Sequence, residues 1–124
     1  KFDKTEMLPS GQASVRKLVQ DIAMHGAQVE QIRVIGHTDR LGSDNYNDRL
    51  SLARANTVAN YMKQQGLQVP VVVFGKGERE PITRNCRGDK ATAQLIKCLQ
   101  PDRRVNIELM GLVEKIEHKG VSSQ

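Results

Sequence analysis

The chain contains no tryptophan, and its 124 residues include only two phenylalanines and two tyrosines. A surface that stacks nucleobases on aromatic rings has almost nothing to be built from, although Lys+Arg outnumber Asp+Glu by 19 to 14. The basic residues are scattered among acidic ones, which describes a solvated surface rather than a phosphate track, so no nucleic-acid partner is expected. No apolar run reaches the roughly 18 residues a membrane helix requires. No charged-then-apolar leader is visible either. The chain is expected to be a fragment of a longer protein, with any membrane attachment supplied by the part that precedes Lys1. Internal repeats and low-complexity stretches are also absent.

What is present suits one ordinary domain: 38% hydrophobic and 27% charged residues over a length too short for two. Residues 9 to 25 place Val15, Leu18, Val19 and Ile22 on one helical face, with Pro9 in the first turn and Gly26 beyond the end. Val29, Ile32, Val34 and Ile35 form a β-branched run suited to a buried central strand over 29–36. A second helix is expected from about Asp44 to Gln65, closed by Gly66, with Tyr61 and Met62 packing in the core. Residues 71–74 (Val-Val-Val-Phe) read as a strand entered through Pro70. Residues 103–110 alternate, with Val105, Ile107 and Leu109 on one face, as in a half-buried strand. Phe2–Asp3 looks like the tail of a truncated first strand. The order is then β-α-β-α-β, a loop or short helix, and β, with helices on a face of a sheet holding at least one parallel pair. Residues 112–124 read as a frayed, flexible tail.

Cys86 and Cys98 are the only cysteines. Two further soft ligands at motif spacing would be needed for zinc, and a redox pair is normally C-x-x-C. Two buried free thiols and a disulfide remain as alternatives. A bridge closing this loop would stabilise the fold by about 3 kcal/mol in the chain-entropy description, and would place the domain outside the cytoplasm.

The informative stretch starts at Gly36-His37-Thr38-Asp39-Arg40-Leu41-Gly42-Ser43, at the C-terminal end of the buried strand, where open α/β sheets present their ligand sites. Gly42 lets the chain turn into the following helix, where Asn47, Leu50, Ser51 and Arg54 share one face over two turns. Helical side chains lean toward the N-terminus, so Arg54 points back toward the rim that carries Asp39. A carboxylate and a planar guanidinium converging with an amide between them can clamp a zwitterion, one taking an ammonium and the other a carboxylate. The same spacing also describes a salt bridge pinning helix to strand, and spacing does not choose. His37 and Asp39 at i, i+2 suggest two metal ligands, but neither His25 nor His118 offers a context for a third, so no metal or cofactor is expected. No Ser or Cys has the surroundings of an activated nucleophile, and an enzyme is not expected. Glu78, after two glycines at a strand end, reads as a local cap or bridge with no ligand role.

The run GHTDRLGSDNYNDRLSLARANTVANYM, continued by Gly75-Lys76-Gly77-Glu78, Pro81, the Cys86/Cys98 pair and Pro101-Asp102-Arg103-Arg104-Val105, resembles the OmpA C-terminal-like domains, the peptidoglycan-binding modules of Gram-negative envelopes. The likeness covers about residues 2–111. The cysteine pair and the P-D-R-R ending resemble the OmpA-type outer-membrane branch more than the lipoprotein or flagellar-stator branches. It implies a two-layer α/β sandwich with helices on a mixed four-stranded sheet, spanning 1–111, and a disulfide between Cys86 and Cys98. It also implies a periplasmic domain of a Gram-negative outer-membrane protein that binds, without cleaving, the diaminopimelate residue of the peptidoglycan stem peptide, tethering outer membrane to wall. By position Asp39 matches the ammonium acceptor, Arg54 the carboxylate-binding arginine, Asn47 the pocket-edge asparagine and Arg103 an arginine from the last strand. Leu41, Tyr46 and Leu50 match wall positions, and a homodimer is compatible with the family. The alternative is a periplasmic protein-interaction domain in which an Asp39–Arg54 pair is only structural.

Overall fold

Val15, Leu18, Val19 and Ile22, spaced for one helical face, are all buried on α1 (Pro9–Met24). A computed structural model of the chain describes residues 6–24 and 29–111, together with the backbone of 115–122. The strand expected at Phe2–Asp3 and the helix stop at Gly26 lie outside these residues. After α1 come β1 (Val29–His37), α2 (Asp44–Gln64), β2 (Val71–Gly75), α3 (Ala93–Cys98), a 3-10 turn at Gln100–Asp102, β3 (Arg104–Gly111) and β4 (Lys115–Ser122).

The strands lie in the order β2-β1-β3-β4. β1 runs parallel to β2, with Ile32 opposite Val71, and antiparallel to β3, with Val34 opposite Ile107. The β-branched run of β1 therefore occupies a central position, as its composition requires. Ile32 and Val34 join Val105, Ile107 and Leu109 of β3 beneath α1 and α2, whose Val58, Ala59 and Met62 complete the core. Each such side chain contributes about 1.5–3 kcal/mol when fully removed from water. The result is a two-layer α/β arrangement on a mixed sheet.

One expectation changes. Residues 112–124 were read as a flexible tail, yet Lys115–Ser122 pair antiparallel with β3, Leu109 opposite Ile116 and Val105 opposite Val121. Among the described residues the fourth strand of the sheet is thus this C-terminal one. The sequence Lys-Ile-Glu-His-Lys-Gly-Val-Ser has no sustained apolar alternation to reveal it. What defines it is the backbone ladder offered by β3.

Helix α2 begins at Ser43, whose Oγ accepts from the Tyr46 amide at 3.1 Å. It ends with Gly66 at φ 94°, where the Leu67 amide donates to the Met62 carbonyl at 3.2 Å, the closure expected for that glycine. The helix lies unusually near β1: a Cβ on Gly36 would fall 1.9 Å from the Ser51 carbonyl oxygen. This approach lays the Asn47–Arg54 face against the end of the central strand.

A second, smaller core sits beyond that end. Leu41 packs with Leu95 and Leu99, flanked by Cys86 and Ile96. Cys86 and Cys98 form a disulfide, which decides between the two thiol alternatives and holds α3 against the preceding loop.

Candidate functional site

Most of an α/β domain buries apolar atoms, so the place where it buries charge is informative. Among the described residues the buried polar side chains are His37, Thr38, Asp39, Asn47, Ser51, Arg54, Asp102 and Arg103. They come from the C-terminal end of β1, the first three turns of α2 and the approach to β3. Four of the residues singled out from sequence are in this group.

Asp39 is only 3% exposed. Its Oδ1 accepts from the Leu41 amide at 3.0 Å and its Oδ2 from Arg103 Nη1 at 2.8 Å. The same Nη1 donates to the Ile96 carbonyl at 2.9 Å, so the small disulfide-bearing core positions the arginine. Asn47 Nδ2 donates to the Asp39 carbonyl at 3.3 Å, tying α2 to the strand tip. Arg54 is wholly buried two turns further along that helical face. The carboxylate thus forms its buried ion pair with Arg103, 64 positions away, rather than being defined by Arg54 alone. Two polar atoms, Oγ1 of Thr38, which precedes Asp39 in the chain, and Nε of Arg103 itself, are buried without a hydrogen-bond partner among the described residues. Such orphaned groups are costly, and a ligand group or a water of suitable polarity relieves the cost.

The wall residues divide. Leu41 contributes its amide to Asp39, but its side chain belongs to the core with Leu95 and Leu99. Leu50 is buried on α2, and Tyr46, at 38% exposure, stands on the first turn at the mouth.

His37 does not present itself as a ligand. It is buried, its Nε2 lies 3.3 Å from Asn106 Nδ2, and burial together with the Arg104 guanidinium pulls the imidazole down to about 4. Among the described residues no group of three metal-ligating side chains assembles.

Three residues here escaped sequence reasoning. Asp102 accepts from the amides of Ile82 and Thr83 and from the Thr83 hydroxyl, anchoring the loop after β2. Arg40 Nη2 donates to the carbonyls of Cys86 and Gly88. Glu78, expected to cap or bridge locally, bridges to Asp44 and Asn47 on the first turn of α2. Burial, then a hydrogen bond with Asp44 and the charges of Asp44 and Asp39, push its carboxyl above the usual range, while a hydrogen bond with Asn47 acts the other way. These contacts bridge distant segments and leave no periodic trace. A cleft of about 600 Å³ lies elsewhere: it runs along α2 and β2 past the Arg79–Asp48 ion pair, and is lined by none of the buried charges.

Fold and site together define a small two-layer α/β domain that gathers its buried charge at one rim of the sheet. Residues 1–95 match the OmpA family, and the chain belongs to that family. It is 39% identical over 113 residues to outer membrane protein A of Shimwellia blattae, covering 90% of this chain and 47% of that protein. It is 38% identical over 117 residues to outer membrane protein A of Escherichia coli O157:H7, covering 93% of this chain and 34% of that protein. The chain thus spans less than half the length of these relatives. In fold it is similar to the peptidoglycan-associated lipoprotein of Burkholderia pseudomallei (TM-score 0.67, 21% identity, 89% of this chain and 84% of that one). It is also similar to the C-terminal domain of Helicobacter pylori MotB (TM-score 0.70, 17% identity, 91% and 81%). No helix among the described residues is long and apolar enough to cross a membrane.

Proposed function

We propose that this domain binds peptidoglycan non-covalently from the periplasmic side of the outer membrane, holding membrane to wall, and that it does so as a binding module rather than an enzyme. The proposed point of attachment is the zwitterionic end of diaminopimelate in the stem peptide. Asp39 receives the α-ammonium, with Asn47 beside it and Arg103 holding the carboxylate in place. Arg54 supplies the fork for the α-carboxylate. The observation that carries this reading is the rim itself: a buried carboxylate fixed by Leu41 and by Arg103, whose Nε is buried and unpartnered among the described residues. Family membership and the likeness in fold to a peptidoglycan-associated lipoprotein support the same ligand class.

The alternative, a protein-interaction domain with a purely structural ion pair, finds support in the buried Asp39–Arg103 bridge. Co-sedimentation with purified sacculi separates the two. Asp39→Asn and Arg54→Lys preserve shape while removing a charge or a fork. Wall binding predicts a loss of about tenfold or more for each, measured where the variant is still folded; Asp39→Asn also melts earlier, because buried Arg103 loses its charge partner. Undiminished retention by both folded variants would leave only the structural reading. The contact is also expected to persist at a few hundred millimolar salt, where the Debye length falls below about 8 Å and attraction between exposed charges farther apart than that is screened.

A further inference from the structure

The loop after β2 is locked to the site by three backbone contacts. The Lys76 amide donates to the Gly36 carbonyl at 3.0 Å, the Thr38 amide donates to the Gly77 carbonyl at 2.8 Å, and the Gly77 amide donates to Ser51 Oγ at 2.9 Å. Gly77 has φ 58°, and a Cβ there would fall 2.5 Å from Asp48 Oδ1, so a glycine permits this turn. The residue that follows is Glu78. Its carboxyl lies against Asn47, whose amide is itself bonded to the Asp39 carbonyl, and against Asp44 on the first turn of α2. The loop thus brings a second carboxyl to the Asn47 side of the rim, close enough to Asp39 to feel its charge, on a backbone bonded to Thr38.

A primary ammonium carries three N–H donors, and one carboxylate oxygen does not satisfy them all. Both Asp39 oxygens already accept one bond from the protein. We infer that Glu78 is the second acceptor for the ammonium pole and sets the selectivity of the site for a free primary ammonium over an acylated amine. This rests on the zwitterion-binding reading given above. An N-acylated amine offers one N–H and no charge, so it gives the Glu78 carboxyl no cation to face.

A residue placed for this purpose is unfavourable to the unliganded fold. Asp44 and Asp39 face Glu78 with like charge, and the cation near it on its own loop is Arg79, already engaged by Asp48 in two hydrogen bonds. Neutralising Glu78 is therefore expected to leave the domain as stable or more stable while weakening its ligand. A structural cap would do the opposite.

The test compares the wild-type chain, Asp39→Asn, Glu78→Gln and Glu78→Asp on isolated sacculi and on sacculi whose free amines have been acetylated, with melting temperatures measured alongside. Glu78→Gln is expected to lose about tenfold on native sacculi with no fall in melting temperature. It is also expected to lose the preference for native over acetylated sacculi, and Glu78→Asp to restore part of it. Wild-type affinity in Glu78→Gln, with Asp39→Asn defective, overturns the role of Glu78 and leaves the wall-binding reading intact. Equal losses on native and acetylated sacculi with a lowered melting temperature overturn it in favour of a structural role. If the wild-type chain does not bind native sacculi at all, the underlying reading fails, and the role of Glu78 with it.

Discussion

Asp39 and Arg103 form a buried pair with side-chain exposures of 3% and 6%, and burial makes the pair asymmetric to mutation. Asp39→Ala strands a guanidinium away from water and is expected to cost about 3–5 kcal/mol of stability, read from urea melts. Removing Arg103 as well should recover much of that loss, since both desolvated charges are then gone. His37 gives a second residue-level expectation. Its imidazole is held near 4 in the fold against an ordinary value of 6.5. Between these values the unfolded chain binds a proton that the native chain refuses. Stability should therefore fall as pH drops from about 6.5 to about 4, by at most about 1.4 kcal/mol per pH unit. His37→Gln should flatten that limb in melts recorded across the window. Asp39, Asn47, Arg54 and Arg103 were legible because each sits in a motif of specific spacing. The pairing of Asp39 with Arg103 was not, because it joins positions 64 apart. The partners of Glu78, Asp44 and Asn47, were not legible either, because they come from another segment of the chain.

At the scale of elements, α1 and α2 were readable because their buried residues recur every three or four positions. β1, β2 and β3 were readable from β-branched runs and clean alternation. α3 is six residues long, too short for a period, and is fixed instead by the Thr92 cap, the disulfide and Leu95. β4 lacks an apolar alternation, so only its pairing with β3 reveals it. The element that matters most to the site is α2. Ser43→Ala removes its cap and is expected to cost about 1 kcal/mol, with the first turn bearing Asp44 and Asn47 exchanging its amide protons faster. Gly36→Ala forces α2 off β1, because the added carbon meets the Ser51 carbonyl. Destabilisation of about 1–3 kcal/mol or more, measured by chemical denaturation, is the expected outcome.

Across the whole molecule, the two cores divide the labour. The larger one holds helices to sheet, while the smaller, around Leu41, Leu95 and Leu99, carries the carbonyl of Ile96 that steadies Arg103. The disulfide is therefore linked to the site as well as to stability. Reduction is expected to lower stability by about 3 kcal/mol, given the twelve-position span. It should also weaken sacculus binding in conditions where the domain is still folded, which paired melts and co-sedimentation with and without reductant would show.

The central claim is that one amino-acid head group is gripped by its two poles at the rim of the sheet. A crystal structure of the chain soaked with diaminopimelate tests it most directly. The account predicts density with an ammonium nitrogen at about 2.7–2.9 Å from an Asp39 carboxylate oxygen and a carboxylate facing Arg54. Diaminopimelate bound elsewhere, with the Asp39–Arg103 pair unchanged and untouched by it, would contradict the account.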